Sequence, residues 1–512
     1  MKLSKKILKS LFFMPLLLLI ACESNSKSDD STPNPNPDAS EISTTPSSPL
    51  GAGVLLQGFD WSSNFHDRYY GDSADDNWIR GTYDSNAPSG SKDWYDVVTA
   101  NAAEIKNTFE YVWFPPAEDS GSDNGYMPRK LDVLYSFYGT PDELSSAISN
   151  ISPAKAICDI VINHRVGTNN WGTFTEPSFC TDYYAICSDD EGFSASGSDM
   201  YGSTNKGAAD TGEGYTSARD LDHTNREVQN GLVSWMTNKL KALGFVGWRY
   251  DYVKGFDGRY IGYYNAMTNA AFSVGEHWPT DGFSYSNPAA WSNQFETWVT
   301  ATSSDDNKIN DREYTPSGSR VFDFVTKGMM NKVFGNNVSG VANGNYNLLA
   351  SEYCGFNKMP AASVTFVDNH DTGSTQALWY LDPDDVGTAY AFILTHPGYP
   401  CVAWQHYFTA AESYDTTVSS NGSQYIGGNT VPGTELTYKQ FIFSLISLRA
   451  EAGINELSSV TVYDETSSSR YVAEIEGANE ILLVNIGSSY TADDEWTARY
   501  SGTNFKIWSK GL

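Results

Sequence analysis

The chain has 512 residues and a formal net charge of −29. That length exceeds one small domain and suits a large barrel with an accessory domain. The negative balance argues against a nucleic-acid partner, because a phosphate backbone would be repelled.

In chain order the first feature is a basic start followed by an apolar run. Lys2, Lys5, Lys6 and Lys9 precede residues 11–20, a run too short to span a bilayer comfortably. It ends in Leu19-Ile20-Ala21-Cys22. That resembles a bacterial lipobox, so residues 1–21 are expected to be a lipoprotein signal peptide and Cys22 the lipidated residue. Residues 22–50 are rich in Ser, Asp, Pro and Asn and are expected to form a flexible tether. The expected address is outside the cytoplasm, anchored to a bacterial membrane and facing the periplasm or the cell surface.

Residues 51–454 alternate short apolar runs with helical patterns. The runs are 53–59, 111–116, 155–163, 245–253, 272–278, 319–325, 363–369 and 400–407. Apolar throughout rather than alternating, they fit parallel strands covered on both faces. Thr140-Pro141-Asp142-Glu143 is a capping box with proline in the first turn. Thr224 to Glu227 reads as a second one, opening a helix with Val228, Leu232, Trp235, Met236 and Leu243 roughly on one face. Eight strand-plus-helix units predict a (β/α)8 barrel. Residues 165–222, between the third strand and its helix, are too many for an ordinary loop and predict an inserted subdomain. Short strand patterns in residues 455–512 predict a C-terminal antiparallel β-domain. Cys180 and Cys187 can form a small disulfide in an oxidising compartment, whereas Cys158 and Cys401 lie in apolar runs and suit buried thiols.

Barrel enzymes carry their chemistry at the carboxyl ends of strands. Those ends here read Asn163-His164, Arg249-Tyr250-Asp251, Glu276-His277 and Asn369-His370-Asp371. Such a gathering of charge is unnecessary in a purely structural barrel and argues for a site. These segments, in this order, resemble the signature regions of the α-amylase family (glycoside hydrolase family 13), with the plant-type and archaeal members most similar in detail. Leu56 to Trp61, Gly125-Tyr126-Met127-Pro128 and Asp220-Leu221-Asp222-His223 support the resemblance, which covers nearly the whole chain after the tether.

The resemblance implies endo-acting hydrolysis of α-1,4-glucosidic bonds in starch-like glucans and maltooligosaccharides. Asp251 would be the nucleophile, Glu276 the general acid and base, and Asp371 the residue that grips the sugar in the transition state. A carboxyl pair about 5–5.5 Å apart gives retention of configuration. Arg249, two residues before Asp251 and on the same strand face, would keep the nucleophile ionised. His164, His370 and Tyr126 would contact the sugar, with Lys254 and Trp278 candidates for outer subsites. The resemblance also implies a calcium ion that staples the insert to the barrel. Asn163, Asp220 and the Gly255 carbonyl would hold it, with Asp210 a further candidate ligand. A glucanotransferase or an exo-acting hydrolase on the same fold is the alternative. A non-catalytic glycan receptor ranks lower, because the three carboxylates are all present. A monomer is expected.

Overall fold

The computed structural model describes residues 36–64, 93–305, 309, 313–335, 344–373, 376, 378–413 and 425–512. The signal peptide, Cys22 and the tether up to residue 35 therefore lie outside the described residues. Eight parallel strands form the centre: β1 Leu55–Gln57, β2 Tyr111–Phe114, β3 Lys155–Ile160, β4 Gly247–Tyr250, β5 Ser273–Gly275, β6 Arg320–Phe322, β7 Ser363–Val364 and β8 Cys401–Ala403. Their order is β7-β6-β5-β4-β3-β2-β1-β8. The ring closes between the outer two, where Cys401 N donates to Thr365 O at 2.7 Å and Phe366 bridges to Cys401. The predicted (β/α)8 barrel is thus the fold. The strand residues are almost all buried, as two-faced cover by helices requires.

Every strand is shorter than its apolar run. In 400–407 the strand stops at Ala403 and Trp404–Tyr407 turn helical. A short apolar run does not distinguish the two states. The Thr140 box forms as expected, with Glu143 N donating to Thr140 Oγ1 and Thr140 N to Glu143 Oε2. The second box is corrected: Asn225, not Thr224, caps the helix Arg226–Trp235 by accepting from Glu227 N. Thr224 instead donates through N and Oγ1 to Asp222. Val228, Leu232, Trp235 and Met236 are buried on the core side of that helix, while Leu243 is half-buried.

The insert is rooted by a two-residue ladder in which His164 pairs with Asp220 and Arg165 with Arg219. Cys180 and Cys187 are free thiols, so the disulfide their spacing allows is not formed, and Cys180 accepts from Asn225 Nδ2 instead. Cys158 and Cys401 are buried thiols. Strands β9 Ser459–Val462, β10 Arg470–Glu476, β11 Glu480–Gly487, β12 Thr497–Ser501 and β13 Phe505–Gly511 form the C-terminal antiparallel sheet. Its order is β9-β10-β11-β13-β12.

From Asn36 onward the chain is held in place. Asn36 and Ser501 exchange two hydrogen bonds, Gln440 donates to Ala39 O, and Asn107 donates to Pro46 O. The stretch expected to be a free tether up to residue 50 therefore packs along the barrel wall.

Candidate active site

β4 brings Arg249 into the barrel interior, in register with Asp159 of β3. Both are fully buried. Arg249 Nη1 donates to Asp159 Oδ1 and to Asp251 Oδ1, each at 2.8 Å. Its Nη2 lies 3.0 Å from Glu276 Oε2, although that N–H is not aimed at the oxygen. One guanidinium thus serves three carboxyls. Asp251 directly follows β4 and Glu276 directly follows β5, with Glu276 N donating to Tyr250 O. Strand register alone therefore brings the two acids together.

The electrostatics follow from burial. Burial pushes Glu276 up to about 7, with Arg249 opposing and Asp251 adding to the rise. Burial likewise raises Asp251 to about 6, against the pull of Arg249. Asp371 stands well above the usual carboxylate range, through burial first and Glu276 next. Gln376 donates to Asp371 Oδ1 at 2.6 Å, and Asn369 Oδ1 accepts from the backbone N of Asp371 and Thr372.

His370 is held well below its usual pKa by burial and by Arg249, so it is neutral. Its 3.3 Å contact with Asp371 Oδ2 is accordingly not an ion pair. Gln57 Nε2 lies 3.0 Å from His370 Nδ1 and donates to it. That leaves the proton on Nε2, which donates to Tyr126 Oη at 2.8 Å, while Tyr126 Oη donates to Asp159 Oδ2. The rings of Trp61, Tyr126 and His370 lie nearly parallel, with interplanar angles of 7–15°. His164, pushed down to about 4 by burial, stacks on Tyr215 at 4.0 Å.

These groups frame an open cleft of about 250 Å³ at the carboxyl ends of the strands. Trp61, Asn124, Tyr126, His164, Tyr215, Asp251, His370 and Asp371 are among its walls. The structure thus brings Asp251, Glu276, Asp371, Arg249, His164, His370 and Tyr126 together. Lys254 and Trp278 do not line the cleft. Lys254 Nζ donates to Thr280 Oγ1, and Trp278 stacks on Phe324 and Trp379. Sequence reasoning missed Asp159, Gln57, Trp61 and Tyr215 as site residues. Asp159 had a visible signal, a lone charge inside an apolar strand. Tyr215 had none, since nothing in the insert's composition sets it apart.

Tyr252, next to Asp251, adopts a left-handed backbone (φ 45°) that costs a non-glycine residue on the order of 1 kcal/mol. Its N–H points toward Glu276 Oε2 at 3.4 Å. Strain of this kind persists only where the surroundings over-determine it.

A second polar cluster joins the insert to the barrel. Asn163 Nδ2 donates to Asp220 Oδ1, and Asp220 accepts from Tyr215 N. A methyl group on Gly255 would fall 1.9 Å from Asn163 Oδ1, and one on Gly212 would strike Gly255 and Lys254 backbone at 2.5 Å. Asp210 Oδ2 is buried without a hydrogen-bond partner. Burial raises Asp220 to about 8, with Asp210 the next carboxylate adding to the rise. Asp222 is occupied by Ala208 N and Thr224. Among the described residues no three His, Cys, Asp or Glu side chains form a metal-binding group. A cation here would rest on Asp220 and Asp210 together with amide and backbone oxygens. That oxygen-rich, negatively unbalanced donor set fits calcium.

A barrel whose strand ends hold two neighbouring acids against one arginine, under a cleft walled by flat rings, has the architecture of a glycoside hydrolase. Residues 105–403 match the family described as Alpha amylase, catalytic domain, and the chain belongs to that family, acting on α-glucans. Among curated proteins it is 28% identical to Probable alpha-amylase 2 of Arabidopsis thaliana, over 83% of this chain and 92% of the relative. It is 26% identical to a glucan 1,4-alpha-maltotetraohydrolase of Stutzerimonas stutzeri, over 86% of this chain and 68% of the relative. Among solved structures, a cyclomaltodextrin glucanotransferase with a three-domain ABC distribution superposes with a TM-score of 0.58. It is 17% identical, over 90% of this chain and 99% of that one.

Proposed function

We propose that the chain is an endo-acting, retaining hydrolase of α-1,4-glucosidic bonds in starch- and glycogen-type glucans. The observation that carries this reading is the uneven grip of Arg249: its Nη1 donates to Asp251 Oδ1 at 2.8 Å, whereas its Nη2 is not aimed at Glu276, an arrangement that favours charge on Asp251 and the proton on Glu276. Asp251 attacks the anomeric carbon and forms a glycosyl ester as the bond to the leaving oxygen breaks. Glu276 gives its proton to that oxygen. Glu276 then takes a proton from water, whose oxygen attacks the same carbon and releases Asp251. Two inversions give net retention. Arg249 keeps Asp251 anionic. Asp371, His370 and His164 bond the sugar hydroxyls, and Tyr126 offers its ring to the sugar's apolar face.

Calcium, when bound, supplies a fixed positive charge that balances Asp220 and Asp210. Asn163, Asp220, Asp210 and the Gly255 carbonyl are the residues that would hold it. Its removal by chelator is expected to lower the melting temperature, and added calcium to restore it. An unchanged melt would remove calcium from the account. Export and lipid anchoring at Cys22 complete the proposal, tested by radiolabelled palmitate incorporation into the native chain and its loss in Cys22→Ala.

Product profiling on soluble starch tests the main reading. A spread of maltooligosaccharides early in the reaction is expected. A single short product from the first minutes would mean exo action. Products longer than a maltooligosaccharide substrate, outweighing new reducing ends, would mean transfer to sugar.

A further inference from the structure

The insert carries a surface that the cleavage chemistry does not use. Trp171 is 44% exposed, unusual for so large a ring. It is nevertheless held rigidly. One face lies over the Arg219 guanidinium at 4.9 Å, and that buried arginine is itself fixed by Asp190 at 2.6 Å and Glu191 at 2.5 Å. Asp199 pins the backbone beneath it, accepting from Trp171 N, Gly172 N and Thr173 Oγ1. The Tyr183 hydroxyl reaches the same carboxylate at 3.1 Å. The result is a flat ring with one face on protein and the other presented to solvent.

Beside it runs a groove of about 550 Å³ walled by Gly172, Thr173, Phe174, Phe179, Asp182 and Tyr183. Its floor is stiff as well. Arg165 sits over the rings of Phe174 and Phe179 at 4.8 and 5.1 Å, its N–H groups spent on the Arg129, Thr175 and Pro177 carbonyls. Among the described residues no lysine or arginine lines the groove, whereas Asp182 and Glu227 do. With a chain charge of −29 and two acids at its wall, the groove repels an anionic ligand. Aromatic faces beside hydroxyl and carboxylate acceptors suit a neutral polyol, and pre-organised rings lose little entropy on binding it. None of these residues is shared with the cleft.

We propose that Trp171 and this groove form a second α-glucan-binding surface, which holds the polymer at a distance from the bond being cut. The proposal rests on the α-glucan reading of the cleft. It is tested by native electrophoresis of the full chain through amylopectin gels, in a Glu276→Gln background so that the polymer survives. Trp171→Ala is expected to weaken retention about tenfold, as loss of a central tryptophan anchor does. Trp171→Phe is expected to keep part of it, and Asp199→Ala to weaken it less. In the otherwise native chain, kcat/KM of Trp171→Ala on maltotetraose stays within about twofold, since a short substrate cannot use both sites. Unchanged retention of Trp171→Ala with an unchanged melt overturns the proposal. Equal retention in a β-linked glucan gel overturns its α-glucan specificity. Cleavage persisting in Glu276→Gln would instead sink the catalytic assignment, and the Trp171 variants would still be read against each other.

Discussion

The barrel has a buried arginine at each end, and the two are used in opposite ways. Arg449 sits at the end where strands begin. Its N–H groups donate to the carbonyls of Ala52, Leu394, His396 and Gly398. Among the described residues no carboxylate bonds it, and burial lowers its pKa to about 10. Arg249 sits where strands end, ringed by Asp159, Asp251 and Glu276, and these acids hold it firmly charged. Its Nε and Nη2 lack well-formed hydrogen bonds. A fully satisfied arginine ties backbone segments together. An arginine shared among too many acids sets their proton affinities. Burial is the same in both cases, so what distinguishes a structural charge from a working one is the company it keeps.

Substitutions at the two ends should separate chemistry from stability. The largest effect is expected at the mouth, where Glu276→Gln or Asp251→Asn lowers starch hydrolysis about a thousandfold or more with folding intact. Near-native rates in either variant would remove the mouth from the chemistry. Arg249→Lys is next, at about a hundredfold, because an ammonium cannot span three carboxyls. The native pH profile of kcat/KM should rise through about 6 as Asp251 ionises and fall through about 7 as Glu276 loses its proton. With a poorer cation beside it, Asp251 is harder to ionise, so the acid limb of Arg249→Lys moves to higher pH. A limb that stays put would mean Arg249 does not tune the acid.

At the opposite end, Arg449→Met strands four carbonyls and is expected to cost about 3 kcal/mol of stability. The folded fraction should keep its kcat, and denaturant unfolding alongside active-site titration would show it. A fall in kcat per folded molecule would break the contrast between the ends. The smallest effect concerns Glu118, fully buried after β2 with neither oxygen well bonded, and pushed by burial up to about 8. Its folded pKa lies above the unfolded one, so its contribution is complete below about 4.5 and is lost as pH climbs toward 8. Glu118→Gln should therefore match the native chain at pH 4 and outlast it in thermal melts at pH 8. Equal melts at both pH values would place that carboxyl in a wetter setting.

Much of this was legible in the amino-acid order. Buried parallel strands print as apolar runs, so a polar residue at the end of one stands out. That is how Asp251, Glu276 and the His370-Asp371 pair are visible. Asp159 was passed over because it lies inside a run rather than at its end. Only the cross-strand register shows that it faces Arg249. The positive φ of Tyr252 leaves no trace in residue type, since glycine or asparagine is what such backbone ordinarily selects. Thr224 and Asn225 are both good caps, and local pattern could not choose between them once Asp222 had engaged the threonine. Trp171 reads as one more aromatic until the partners that fix it are known.

The segment that begins at Asn36 has a consequence for how the molecule is made. Asn36 and Ser501 are bonded to each other yet stand 465 residues apart in the chain. During synthesis the first part of this strap emerges long before its final partner exists. The barrel's opening stretch must wait for the last strands before its seat on the wall is complete. The Asn36 end of this strap can therefore be fastened only after Ser501 is made, whereas Pro46 and Ala39 meet partners, Asn107 and Gln440, that emerge earlier. Chains cut short before Ser501 would keep the anchors at Pro46 and Ala39 and lose the one at Asn36, so the strap would peel from its far end.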